Sequence, residues 1–357
     1  MTVALPENPR VLVIALRRLG DVLLTTPLIR SIKRAFPGAA IDVLVFAGTE
    51  GILTGNPDVA HVLTLPQRPS GVETLASLAR LRRRYDLALS TQTGDRPTAL
   101  AIAAGRISAG PVEARGAAVR IKRLLLSHCH VSDRTRHRVV ETLQLAELLG
   151  IPASTEIVPP ADPAAAAPSA AGMPEPYAVV HAAPMFTYKR WTGAGWRGLA
   201  AALRDRGLAI VVTGAPGDRA YLDEVWQGSE VERRDGALTW PALSSLIGAA
   251  RVYVGPDPAI THLAAATGAP TVALYGPTDP RLWGPWPVGG LAAPWAASGT
   301  VQHRGNVWLV QNPLPCLPCQ LEGCDRRLDS HSRCLDELTV AQVMSAVDRA
   351  LAMRQAA

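Results

Sequence analysis

VLVIALRRLGDVLLTTP, residues 11–27, is the segment whose reading decides the fold. Residues 11–16 are an unbroken apolar run of strand length, which reads as a buried strand. From Val22 to about Ala35 the apolar residues recur at helical spacing. A strand that turns directly into a helix opens a βαβ unit, and its turn is the usual seat of a glycine-rich phosphate cradle. Here the turn holds one glycine, Gly20, beside a carboxylate, Asp21. Negative charge does not suit an anion cradle. Asp21 therefore either caps its helix or presents its carboxylate to something other than phosphate.

The same alternation continues on both sides of this segment. Strands are predicted over 41–46, 62–65 and 86–90, with a basic helix over 72–84 and a helix over 138–149 that ends at Gly150. Residues 152–176 are rich in proline and alanine and read as a linker. The alternation then restarts with strands over 177–182, 208–213, 251–255 and 271–275. Helices are predicted over 194–206, 218–226, 240–249 and 259–267. Thr339 with Gln342 marks the cap of a last helix to about Met353. Strands that alternate with helices imply parallel sheets. The expectation is two α/β domains, 1–151 and 177–357, joined by 152–176, with a site in the cleft between them.

Composition narrows the function classes. The 357 residues are 48% hydrophobic, which is ample for two cores. No apolar run reaches the roughly 18–20 residues of a membrane span, and the first residues lack a signal-peptide plan, so the cytoplasm is expected. The formal charge is +6, carried almost wholly by arginine; Lys33, Lys122 and Lys189 are the lysines. Arg115, Arg120, Lys122, Arg123, Arg134, Arg136 and Arg138 cluster around the apolar Leu124-Leu125-Leu126. This segment is either a solvated basic face or a surface for an acidic acceptor or an anionic membrane. Arginine bias alone does not make a nucleic-acid-binding protein, and none is expected as a partner.

Several motifs carry chemistry. Gly193, Gly195 and Gly198 fit G-x-G-x-x-G, but ten residues separate the motif from the preceding strand and Trp196 sits inside it, against a dinucleotide fingerprint. No G-x-x-x-x-G-K-[ST] occurs, which excludes a P-loop enzyme. HAAPMFTYKRW, 181–191, leaves a strand and carries Thr187 and Lys189 to the ligand-binding edge of a sheet. VGPDPAITHLAAATGAP, 254–270, ends a strand with a Pro-Asp-Pro turn and opens a helix of small residues near Ala259. Asp257 either caps this helix or joins Thr261 and His262 around its uncovered N-terminus, where backbone N–H groups suit a phosphate. TGAPGDR, 213–219, follows another strand and brings Gly214 and Asp218 to the same edge, with Asp218 placed to accept from a ribose. Cys316, Cys319, Cys324 and Cys334 form a one-sided cluster that leaves metal binding, a disulfide and free thiols all open.

Taken together, RRLGDVLLTTPLIRSIKRAFP, FTYKRW, GPDPAITHLAAATGAPTVALYGPTDPRLWGPW and CLPCQLEGC resemble the ADP-heptose:lipopolysaccharide heptosyltransferases, glycosyltransferase family 9. The likeness runs from about Arg10 to Val347. It implies a GT-B fold, two Rossmann-like domains facing across a cleft, with an N-terminal acceptor domain and a C-terminal nucleotide-sugar domain. It implies Asp21 as the general base of an inverting transfer, and Lys189 with Thr187 on the donor diphosphate. It also places Asp257 and His262 in the family's D-[ST]-G-x-x-H motif. Pro258 and Ala259 depart from that motif, and backbone N–H groups at the helix start remain able to bind phosphate.

The resemblance thus implies heptose transfer from ADP-heptose to a lipopolysaccharide inner-core acceptor, at the cytoplasmic face of the inner membrane. Arg120, Lys122 and Arg123 are candidates for acceptor contact. No cofactor and no metal are expected. The same fold with another nucleotide sugar or a protein acceptor, or a non-catalytic nucleotide-sugar or lipopolysaccharide binder, are the alternative readings.

Overall fold

Apolar runs in this chain form strands because parallel sheets covered by helices bury both strand faces. The computed structural model describes residues 3–162, 175–257 and 259–356. It divides into two units, Met1–Pro160 and Ala161–Ala357.

The first unit runs β1 (Arg10–Ala15), α1 (Leu19–Leu23), α2 (Thr26–Ala35), β2 (Ala40–Phe46), β3 (His61–Leu65), α3 (Gly71–Leu81) and β4 (Tyr85–Ser90). It continues with α4 (Asp95–Ala104), β5 (Gly105–Val112), α5 (Ala117–Leu125), β6 (His128–Val131) and α6 (Arg138–Leu148). The sheet order is β3-β2-β1-β4-β5-β6, with every pair parallel. The order reverses between β1 and β4, where Ile14 lies opposite Ser90. Val11 to Ile14 are fully buried.

The single helix predicted after Asp21 is in fact two. Pro27 has no N–H to return to the Leu23 carbonyl, and the Thr26 hydroxyl donates to that carbonyl instead, at 2.8 Å. The Thr25 hydroxyl donates to the Asp21 carbonyl, also at 2.8 Å. Asp21 lies in the first turn of this short α1. The expected linker also begins later than composition suggests. Ser154 N–H donates to Ser31 Oγ at 2.8 Å and Val158 N–H to Thr26 Oγ1 at 3.0 Å, which ties the chain to α2. Ile157 and Val158 are buried there, and the first unit ends only at Pro160. Residues 163–174 of the expected linker lie outside the described residues.

The second unit runs β7 (Tyr177–His181), α7 (Gly193–Arg204), β8 (Ala209–Thr213), α8 (Arg219–Val225), β9 (Glu232–Arg233), α9 (Trp240–Ala249) and β10 (Val252–Pro256). After these come α10 (Ala259–Thr267), β11 (Thr271–Leu274), α11 (Pro280–Trp283), β12 (Val301–Arg304), β13 (Val307–Val310), α12 (Arg333–Asp336) and α13 (Val340–Ala356). The sheet order is β12-β13-β11-β10-β7-β8-β9, parallel except for the edge hairpin β12–β13. Its order reverses between β7 and β10.

A buried tryptophan group anchors this unit. Trp191 and Trp196 meet edge to face at 5.0 Å, and Trp191 Nε1 donates to Leu338 O at 2.8 Å. Two of the G-x-G-x-x-G glycines, Gly195 and Gly198, serve close packing in this unit. A Cβ on Gly195 would lie 2.4 Å from the Trp191 ring, and one on Gly198 would lie 2.9 Å from Val340. Gly195→Ala is therefore expected to lower the unfolding free energy by about 1–3 kcal/mol through overpacking. Urea denaturation checks this, and unchanged stability would mean that α7 retreats from Trp191 freely.

Candidate active site

In the first unit the polar groups gather where the sheet order reverses. Asp21 is the third residue of α1, and the N-cap position belongs to Arg18, so the carboxylate is not a cap. Its Oδ1 lies 3.6 Å from Arg17 Nη1 and 3.6 Å from Arg138 Nε. That oxygen is buried and accepts no hydrogen bond from any described residue. Burial raises the Asp21 pKa above its ordinary 3.8, while Arg17, Arg138 and Arg18 pull it back. Arg138 opens α6 and donates from Nη2 to Thr91 O at 2.7 Å, just beyond β4. Burial lowers its guanidinium to about 10, and it remains charged at neutral pH. Two guanidinium groups thus oppose the rise that burial causes, and neither donates a hydrogen bond to Oδ1.

The basic segment divides. Lys122 points inward: its Nζ bonds Thr93 O at 2.5 Å, Asp95 Oδ1 at 2.8 Å and Glu113 Oε2 at 3.1 Å. Burial would lower its pKa, but those carboxylates hold it above the ordinary value. The ammonium is thus held by three partners within its own unit. Arg120 and Arg123 remain exposed.

In the second unit the reversal point lies between β7 and β10, and the loops that follow them carry the predicted donor residues. Thr187 opens a short 3-10 turn that ends at Lys189. Lys189 Nζ pairs with Asp257 Oδ2, and Thr278 Oγ1 donates to the same oxygen at 2.6 Å. Asp257 is buried, and burial would raise its pKa; the Lys189 charge, the two hydrogen bonds and His262 hold it below 3.8. His262 is also buried, its Nδ1 has no partner among the described residues, and burial lowers it to about 4. It is a neutral imidazole at physiological pH. Ala259 is the first residue of α10 and is partly exposed. Pro258 lies outside the described residues.

Thr261 does not join this group. Its hydroxyl donates to Pro256 O at 2.5 Å and meets Tyr253 Oη at 3.1 Å in the core. Gly255 makes room for that contact, because a Cβ there would lie 2.2 Å from the Tyr253 hydroxyl. Gly214 follows β8 on the same sheet edge, where an added Cβ would strike Leu222 at 2.5 Å. Asp218 Oδ2 accepts from Ala215 N–H at 2.8 Å and so holds its own turn. Thr278, Arg17 and Arg138 are the site residues that motif reading missed. Arg17 stands four residues before Asp21, a helical neighbour visible in sequence. Arg138 and Thr278 reach their partners only through the fold.

The five cysteines are free thiols. Burial, with Cys319, Cys324 and Cys316 nearby, pushes the Cys334 thiol up to about 12. No group of three or more His, Cys, Asp or Glu among the described residues is arranged to hold a metal ion.

Residues 75–292 match the family model "Glycosyltransferase family 9 (heptosyltransferase)". The chain belongs to glycosyltransferase family 9. Among curated family 9 relatives, lipopolysaccharide heptosyltransferase 3 of Escherichia coli is 30% identical over 289 residues, 75% of this chain and 83% of the relative. Lipopolysaccharide heptosyltransferase 1 of Pseudomonas aeruginosa is 26% identical over 351 residues, 92% of this chain and 91% of the relative. Among solved structures, E. coli ADP-heptose lps heptosyltransferase II superposes with a TM-score of 0.74 at 18% identity, over 97% of this chain and 99% of that one. E. coli heptosyltransferase WaaC with ADP gives 0.71 at 23% identity, over 96% and 99%. The two Rossmann-like units expected from the sequence are therefore the family 9 fold.

The buried imidazoles make a pH prediction. His262 and His181 are both lowered from 6.5 to about 4 by burial. Between those values the unfolded chain takes up protons that the folded chain refuses. The stability is full above pH 6.5 and falls as pH drops toward 4, by roughly 3 kcal/mol per imidazole. His262→Gln should make the dependence over that window distinctly shallower in urea titrations at successive pH values. An identical slope would mean that His262 is not held neutral.

Proposed function

We propose that this protein is an inverting transferase that moves a heptose from ADP-heptose to a lipopolysaccharide inner-core acceptor, with Asp21 as general base. One observation carries the catalytic assignment: a buried carboxylate at the β1/β4 reversal whose Oδ1 accepts no hydrogen bond, flanked by two guanidiniums at 3.6 Å. An acceptor hydroxyl could donate to that oxygen. As the oxygen–anomeric carbon bond forms, its proton passes to Asp21, and the bond from the anomeric carbon to the diphosphate oxygen breaks. Burial makes Asp21 a stronger base than an exposed aspartate, and Arg17 and Arg138 oppose that rise.

The leaving group needs only charge stabilisation. Lys189, the N–H groups at the start of α10 and Thr187 supply it at the diphosphate. Asp257 and His262 face the donor sugar, while Gly214 and Asp218 approach the ribose. The neutral imidazole of His262 can accept or donate one hydrogen bond without adding charge beside Asp257. Family membership and these two clusters support the reading; heptose and lipopolysaccharide come from what the relatives are named for.

Asp21→Asn should reduce turnover by about 10²–10⁴-fold while leaving ADP affinity nearly unchanged. In the parent enzyme kcat should fall on the acid side as Asp21 protonates, with a midpoint above 3.8. ADP release from ADP-heptose with a heptose-deficient lipopolysaccharide acceptor is the assay. Undiminished turnover in Asp21→Asn would remove the base assignment. Release of nucleotide from a different sugar donor, and none from ADP-heptose, would overturn the donor assignment.

A further inference from the structure

Helix α5 has two faces with different tasks. Val119 and Leu126 pack with Val112 in a small core, and the Lys122 ammonium is held by Thr93 O, Asp95 and Glu113. That side fixes the helix on its unit. At about 100° per residue, Ile121, Leu124 and Leu125 fall on the opposite side. They are 61%, 85% and 53% exposed. Arg120 borders this stripe beside Leu124 and Arg123 stands further round the helix, both exposed, and Arg115 is exposed just before the helix. Residues 115–127 contain no acidic side chain.

A single exposed leucine is ordinary, but three large apolar side chains along one outer helix face, beside cations, are not. The stripe lies on a helix surface rather than in a groove, so it does not enclose a peptide or a small ligand. Apolar side chains with arginines along the border are the pattern of a helix lying in the plane of a bilayer interface. The arginine stems can cover apolar surface while their guanidiniums reach lipid phosphates. Cations on one side of the stripe, with no acidic side chain in 115–127, fit an anionic partner, with about a fivefold gain per cation near such a membrane surface.

We propose that the outer face of α5 docks this protein on an anionic phospholipid bilayer, with Ile121, Leu124 and Leu125 in the interface and Arg120 and Arg123 at the phosphates. This deepens the proposed function by naming the surface on which a lipid-linked acceptor is met. It rests on that reading for its purpose, not for the binding itself.

The test is co-sedimentation of the full chain with phosphatidylcholine vesicles, with and without phosphatidylglycerol, at low and high salt. Binding should require phosphatidylglycerol and weaken with salt. The double variant Ile121→Ser, Leu124→Ser should partition at least about tenfold less, because it removes apolar area from the interface. Its melting temperature should not change, since neither side chain is part of the core. Its turnover on a water-soluble acceptor fragment should also match the parent. Absence of binding by the parent chain, or equal binding by the double variant, would overturn the proposal. So would self-association abolished by the same variant, which would assign the stripe to a second copy. Vesicle binding by a protein that releases no ADP from ADP-heptose would instead sink the transferase reading and leave the docking face standing.

Discussion

Both sheets are built from parallel strands covered on two faces, and that constraint places everything else. A strand buried on both sides carries charge only where a partner meets it, as Tyr85 and His61 meet Asp42, so most polar chemistry moves to the loops beyond the strand ends. Each sheet has one point where strand order reverses and the flanking loops diverge, β1 beside β4 in the first unit and β7 beside β10 in the second. Asp21 and Thr91 follow the first pair, and Lys189 and Asp257 follow the second. Neither group could sit deeper without leaving a charge unpaired in the core.

The two aspartates show how one residue type acquires two characters. Asp257 is buried, Asp21 has a buried Oδ1, and both stand near cations. Asp257 accepts hydrogen bonds from Lys189 and Thr278 on one oxygen, and they help hold its pKa below the ordinary value. Asp21 has guanidiniums at 3.6 Å and no hydrogen bond on Oδ1, so burial dominates and its pKa rises. The close Lys189 charge, and then hydrogen bonding to the charged form, make the difference. The first arrangement makes a fixed, ionised anchor; the second leaves basicity available.

Much of this order was legible in the chain. Helices over 240–249 and 259–267 lie where periodicity predicts them, because long apolar patterns with clear breakers leave little freedom. Asp21, Lys189, Asp257 and His262 stood out because each interrupts an apolar context at a strand-to-helix turn. Strands β5 and β6 were not visible: GRISAGPV holds two glycines and a proline, and HCHV is only four residues long. Nor were β12 and β13, which pair with each other, β13 also pairing with β11 across a long separation. The break at Pro27 turned one predicted helix into two. Thr261 looked like a site residue by proximity and proved to be a core contact, because Tyr253 reaches it from the preceding strand.

The sequence by itself determined the α/β alternation, the two-unit plan and the family, since these depend on local periodicity and on motifs that need no partner. Tertiary structure alone decided what each charge does. Lys122 and Arg123 are adjacent in the chain, yet one ammonium is enclosed by two carboxylates and a carbonyl while the other side chain faces solvent. Asp21 and Arg138 are far apart in the chain and meet at 3.6 Å. A charge's behaviour is set by its burial and by the groups within a few ångströms, and those neighbours arrive from strands and helices that only the fold brings side by side.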